Sequence, residues 1–229
     1  MRGSEPLGVR DIFSTIDRPN LAESVRARIT AALVAGELKP GDKLRIRPLA
    51  EQLGTSVTPV RDALLGLISD GVLESRTPKD VRVPAIRLGD YEEIRIIRLR
   101  VEGLAARMAA LNATAGDVAL LRDLVERNEA ARVDGPTSEA LRLNQIFHFE
   151  IARIAAMPTL ADIIRRLWLR MGPIIAAIYV AGGRTMIDHH YPILDAIAAG
   201  DGDAAERAIQ ADIEAAADFV RAAGLLADE

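Results

Sequence analysis

The chain contains no cysteine, so it holds no disulfide framework, no thiolate zinc site and no cysteine nucleophile, a usage that fits a reducing compartment. Aromatic residues make up only 3% of it, which argues against a stacking platform for single-stranded nucleic acid. No apolar run reaches the roughly 18 residues of a membrane-spanning helix, no signal-peptide pattern opens the chain, and no fixed period marks a solenoid. The expectation is a cytoplasmic protein with no membrane partner. The signatures of several enzyme classes are also missing. There is no paired Glu-x-x-His set for a di-iron bundle, no His-Glu-x-x-His, no Gly-x-Ser-x-Gly, no P-loop and no dinucleotide fingerprint. Only three histidines are available for acid–base work.

What is present is ample apolar and helix-forming material. The 229 residues are 49% hydrophobic and 27% charged, enough for a sizeable core and for one or two domains. An excess of Ala, Leu, Ile, Arg and Glu points to a mostly helical protein. The net charge of −4 is unevenly spread. Residues 1–88 carry 14 Lys and Arg against 11 Asp and Glu, whereas residues 89–229 carry 15 against 22. A basic front joined to an acidic back suits a nucleic-acid-binding domain fused to something else, although the basic excess is modest.

Periodicity and punctuation divide the chain. A first helix runs from the cap Asn20 to Ala35, with Leu21, Val25, Ile29, Ala32 and Leu33 on one face. After the turn Lys39-Pro40-Gly41-Asp42, a short second helix begins with Pro48 at its first position and reaches Leu53. A third starts from the cap Thr58, with Pro59 at its first position, and runs to Asp70. Two β-prone segments, Val72–Arg76 and Asp80–Val83, flank Thr77-Pro78-Lys79 and read as a small hairpin. From Asp90 onward no strand signal appears. Six helices are expected near 90–112, 115–133, 137–156, 158–180, 184–199 and 201–226. The fold class is therefore mainly α: an N-terminal winged helix-turn-helix over residues 1–84, a linker over 85–89, and a C-terminal all-α six-helix bundle over 90–229.

The front half has the chemistry of duplex recognition. The start of the third helix carries Ser56, Thr58 and Arg61, hydroxyls and a long cation beside free backbone N–H groups. Helix N-termini and hydroxyls take phosphate, and Arg bridges two acceptors on guanine. Arg45 and Arg47 precede the second helix, placed to flank a DNA backbone, and Lys79 sits at the wing tip. Singly these read as ordinary surface cations; together they read as an interface with a double-stranded DNA operator.

The run Leu49-Ala50-Glu51-Gln52-Leu53-Gly54-Thr55-Ser56-Val57-Thr58-Pro59-Val60-Arg61-Asp62-Ala63-Leu64, after Gly36-Glu37-Leu38-Lys39-Pro40-Gly41, resembles the GntR family of bacterial transcription regulators. Val57 stands where that family usually has an Arg that contacts DNA, and Val57 cannot hydrogen-bond a base edge. Pro78 stands at a wing-tip position that often holds Gly. Further on, Arg98–Arg107, Ile146–Ala152 and His190–Asp201 resemble segments of the FCD effector domain of the FadR-like branch. Six helices would place the chain with the smaller, VanR-like version of that domain.

The resemblance implies a divalent metal ion, Zn²⁺, Ni²⁺ or Mn²⁺, held by Asn144, His148, His190 and Asp212, with Asp212 in place of the family's usual last His. A carboxylate still ligates such ions, though the site becomes harder. Asn144 and His148 lie four apart on one helix and so share a side. Affinity is expected to fall as pH drops through the histidine range near about 6.5, because neutral imidazole ligates. Arg98 and Glu102 are one turn apart. They read either as effector-binding groups, Arg98 pairing a carboxylate, or as an i,i+4 structural pair. The Trp168 helix reads as core or dimer contact, and His189 as a bystander. The functional expectation is a homodimeric, ligand-responsive repressor that binds a palindromic operator and senses a small carboxylic acid. The competing reading is a metal-dependent helical-bundle enzyme acting on a small organic acid. Salt-sensitive binding to duplex DNA, rather than turnover, separates the two.

Overall fold

In a computed structural model, residues 21–77, 80–181, 188–224 and 226 are described. Asn20, Pro78 and Lys79 lie outside them, as do residues 182–187, which include the first four of the expected fifth bundle helix. The architecture is mainly helical, with a small sheet near the front. Helices α1 (Leu21–Val34), α2 (Ile46–Gln52) and α3 (Val57–Ser69) enclose one apolar cluster around Val25, Ile29, Leu33, Val60, Leu64 and Leu67. This is the helix-turn-helix. Strands β2 (Glu74–Thr77) and β3 (Asp80–Arg82) form the expected hairpin, and a short β1 (Lys43–Leu44), unforeseen in the sequence, pairs with β3 to make the order β1-β3-β2. Two residues carry too little alternation to be recognised as a strand. Asp80 ties this sheet together, receiving Arg82 and Lys43 at 2.9 Å each.

The two helix-turn-helix starts differ from expectation in the same way. Arg45 caps α2 and Ser56 caps α3, so Pro48 and Pro59 each occupy the third helical position rather than the first. The first four N–H groups of a helix have no intrahelical acceptor, so a proline anywhere in that turn removes no bond. Arg47 therefore lies in the first turn of α2, not before it.

The bundle comprises α4 (Leu88–Asn112), α5 (Ala115–Asp134), α6 (Thr137–Ile154), α7 (Pro158–Ala181), α8 (His190–Ala198) and α9 (Gly202–Ala223) among the described residues. Helix α4 begins at Leu88, two residues into the expected linker, and Ile86 is already buried in the bundle cluster. Thr114 caps α5 in a reciprocal box with Asp117, and Gly224 ends α9 in the left-handed conformation. No helix among the described residues is long and apolar enough to cross a membrane.

One residue breaks a local rule. Ala156, just past α6, has φ +54°, a left-handed conformation that favours glycine. Ala156→Gly should stabilise the protein by about 0.5–1 kcal/mol and raise Tm by about 1–3 °C. Differential scanning calorimetry checks this, and an unchanged or lower Tm would contradict it.

Candidate functional site

At the front, Arg45 and Arg47 stand at the start of α2, and Ser56, Thr58 and Arg61 at the start of α3. Arg45, Arg47, Ser56, Thr58 and Arg61 are all exposed, and the three arginines have no ion-pair partner among the described residues. The Ser56 side chain makes no capping bond, so it satisfies none of the N–H groups at the start of α3. Val57, at the first helical position, is 39% exposed, an apolar side chain set among hydroxyls and cations. It offers van der Waals contact, such as with a thymine methyl, where a guanidinium would offer hydrogen bonds. The position of Lys79 lies outside the described residues.

The bundle interior holds the second site. Helix α6 buries Asn144 and His148 one turn apart, α8 opens on buried His190, and α9 contributes Asp212. One ligand atom each from His148, His190 and Asp212 lies within 4.8 Å of the others. His148 Nε2 is 3.6 Å from Asp212 Oδ2, and His190 Nε2 is 3.9 Å from Asp212 Oδ1. These separations are too long for hydrogen bonds. They approach the ~3.4 Å edge of a tetrahedron with metal–ligand bonds of 2.0–2.1 Å. Asn144 lines a small cavity of about 40 Å³ with His148, Asp212, Arg98, Trp168, Tyr91 and Tyr179, while His190 is not part of its lining.

His148 is held by a chain of buried partners. Its Nδ1 lies 3.1 Å from Glu102 Oε2. Arg98 Nε donates to Glu102 Oε1 at 2.6 Å and Trp168 Nε1 donates to the same oxygen at 3.2 Å. Burial opposes a charge on Glu102, but the Arg98 cation and the His148 hydrogen bond outweigh it and hold the carboxyl down at about 2. An ionised carboxylate only accepts, so His148 must donate from Nδ1, which leaves its Nε2 facing Asp212. Burial, reinforced by His148, holds His190 well below the usual imidazole range, so it is neutral. Burial raises the Asp212 carboxyl, against the pull of His148 and Arg98.

The donor set fits a divalent cation. Both ring nitrogens of His190 are buried with no hydrogen-bond partner among the described residues. Each such orphan costs roughly 1–3 kcal/mol, and an ion between His190, His148 and Asp212 would satisfy one of them and neutralise the buried carboxylate. The residues that would hold it are His148, His190 and Asp212, with Asn144 alongside.

The i,i+4 pairing of Arg98 and Glu102, left open by the sequence, is formed. Glu102 spends its carboxylate on Arg98, Trp168 and His148, so its role in this geometry is to orient His148. Arg98 lines the cavity with its guanidinium 5.1 Å from the centre of the Trp168 ring. Trp168 is buried core, as the sequence suggested, and it also walls the cavity. Its contact with Glu102, like the lining roles of Tyr91 and Tyr179, carries no short-range signal, since the partners lie tens of residues away.

Comparison with known proteins bears on both ends. Residues 21–83 match the model described as bacterial regulatory proteins, gntR family, and residues 93–215 match the FCD domain. The chain is 37% identical over 173 residues to the HTH-type transcriptional regulator McbR of Escherichia coli (strain K12), covering 74% of this chain and 78% of that protein. It is 32% identical over 205 residues to a protein named "Probable D-xylose utilization operon transcriptional repressor" from Paenarthrobacter nicotinovorans, covering 85% and 86% of the two. The solved structure of E. coli McbR/YncC superposes with a TM-score of 0.83 at 31% identity, over 89% of this chain and 98% of that one.

Two outcomes are expected from this geometry. Arg61→Ala should weaken binding to an operator fragment selected from random duplexes by about 1–3 kcal/mol if Arg61 reads a base, and less if it meets only phosphate. Fluorescence anisotropy at several salt concentrations measures this, and a folded variant that binds like the parent would contradict the placement of α3. Glu102→Gln should lower affinity for Zn²⁺ or Mn²⁺ by about 10–100-fold by replacing the charged acceptor that orients His148 with a neutral amide. Calorimetric titration of the metal into chelator-treated protein checks it, and unchanged affinity would count against the orienting role.

Proposed function

The chain belongs to the GntR family of bacterial transcriptional regulators, with a winged helix-turn-helix followed by an FCD domain, and from that premise we propose that it is a metal-dependent sensor of a small organic acid. Its relatives and both matched domains are those of DNA-binding regulators, not enzymes. In this reading residues 1–84 bind DNA, 85–89 link, and 90–229 bind effector and dimerise. Two copies related by a twofold axis read a palindromic operator, because the symmetry of the protein and of the site then match. A relative named as a repressor supports repression as the mode of action. The protein acts in the cytoplasm, where its operator is.

The observation that carries the sensor reading is the convergence of His148, His190 and Asp212 within 4.8 Å around His190 nitrogens that have no other partner. A divalent ion there would supply a Lewis-acidic centre with positions left for an effector carboxylate. Arg98, beside the same cavity, adds a second anion-binding group. A cavity of about 40 Å³ takes only a few water-sized groups, which supports a small acid. The effector can shift the regulator only by its different affinity for the two states.

Elemental analysis of protein purified without chelator should find about one divalent ion per chain. His148→Ala should bring that content near zero and abolish the response of operator binding to effector, while leaving operator binding itself. A parent with no metal, even after soaking in Zn²⁺, Ni²⁺ and Mn²⁺, would contradict the proposal and leave Arg98 and hydrogen bonds as the only recognition.

A further inference from the structure

Helix α7 touches both ends of the molecule. On one face Trp168, Met171, Ile175, Ile178 and Tyr179 line the bundle cavity. Roughly 90° around the helix, at 100° per residue, lie Leu169, Gly172 and Ala176. Leu169 packs against the apolar cluster of the helix-turn-helix. A side chain on Gly172 would stand 3.3 Å from the carbonyl oxygen of Leu33, and one on Gly36 would stand 2.6 Å from the Ala176 side chain. The last turn of α1 and the middle of α7 therefore approach as closely as their backbones permit.

Each end of this path is tied to a functional element. Trp168, one turn before Gly172, donates to the Glu102 oxygen beside Arg98 and stacks at 4.8 Å from the His148 ring. Helix α1 packs along α3, the DNA-reading helix, and Arg26 bonds Asp70 at the end of α3 at 2.7 Å. Pro173 sits inside α7 directly after Gly172. It has no N–H to offer Leu169, so the intrahelical ladder lacks a bond within the stretch that faces both the cavity and α1.

We propose that α7 is the lever by which the bundle site sets the position of the DNA-reading domain. Occupation of the His148–His190–Asp212 site pulls on Trp168 through His148 and Glu102. The face of α7 that carries Leu169, Gly172 and Ala176 then shifts against α1, and α3 moves with α1. Ala176 is the tooth of this contact: it meets Gly36 but lines no part of the cavity. The inference rests on the sensor reading above, and the two fail in different ways.

The test uses the full-length protein with Zn²⁺ or Mn²⁺ alone as the probe. Hydrogen exchange is followed at residues 30–36, the end of α1 and the turn after it, and at 165–176 of α7, in chelator-treated and metal-loaded samples. In the parent, metal should slow exchange in α7 and, by about threefold or more, in the last turn of α1. In Ala176→Gly and Ala176→Val, which loosen and wedge the contact, metal affinity should stay within about threefold of the parent while the effect at α1 disappears. A parent that binds no metal overturns both readings. Metal binding that protects α7 but never reaches α1 overturns the lever and leaves the sensor intact. An effect at α1 that persists undiminished in both variants shows that coupling does not run through α7, and overturns the lever as well.

Discussion

The structure turns on one buried carboxylate. Glu102 sits in the bundle with its charge intact, and it survives there because Arg98, Trp168 and His148 surround it with donors from three helices. Each partner answers a physical need of another. Arg98 could not be buried without the anion, and Glu102 could not stay ionised without the cation. His148 would not have a defined tautomer without the acceptor. Stripping one member from such a group typically costs about 3–5 kcal/mol, because the remaining charge is left stranded. The group therefore fixes how α4, α6 and α7 sit against one another, as well as which nitrogen of His148 is offered to Asp212.

That arrangement explains why polar residues occupy the middle of an apolar bundle. His190 lies tilted against Phe147 with ring centres 4.7 Å apart and is desolvated, and the partly buried Asp212 lies near it. A bundle built for stability alone would fill this space with Leu and Ile. The same centre is two contacts away from the helix-turn-helix, by way of Trp168 and the close approach of α7 to α1. The polar centre and the helix-turn-helix are thus joined through packed residues of α7 and α1.

Much of this was legible in the sequence, and the parts that were not have a common cause. The helix-turn-helix, the hairpin and the bundle helices announce themselves through period, caps and turn residues, all of which act over a few positions. Asn144 and His148 reveal a shared helix side by spacing, and the family resemblance brings His190 and Asp212 to them. The starts of α2 and α3 were misplaced because proline is tolerated throughout a first turn, so Pro48 and Pro59 mark a helix start without marking its first residue. Strand β1 was missed because two residues have no periodicity to read. The partners of Glu102 were only half visible: Arg98 is one turn away, whereas His148 and Trp168 are 46 and 66 residues distant and meet it only after the bundle packs.

The most direct test is to locate the ion. Crystals of the full-length protein, grown without chelator and soaked in Mn²⁺ or Zn²⁺, should give one strong anomalous peak in the bundle at the absorption edge of the metal. It should lie within about 2.0–2.3 Å of His148 Nε2, a His190 ring nitrogen and an Asp212 oxygen, with His148 Nδ1 still donating to Glu102. A bundle with no peak between these residues, or a peak ligated by Glu102 in place of His148, would contradict the account.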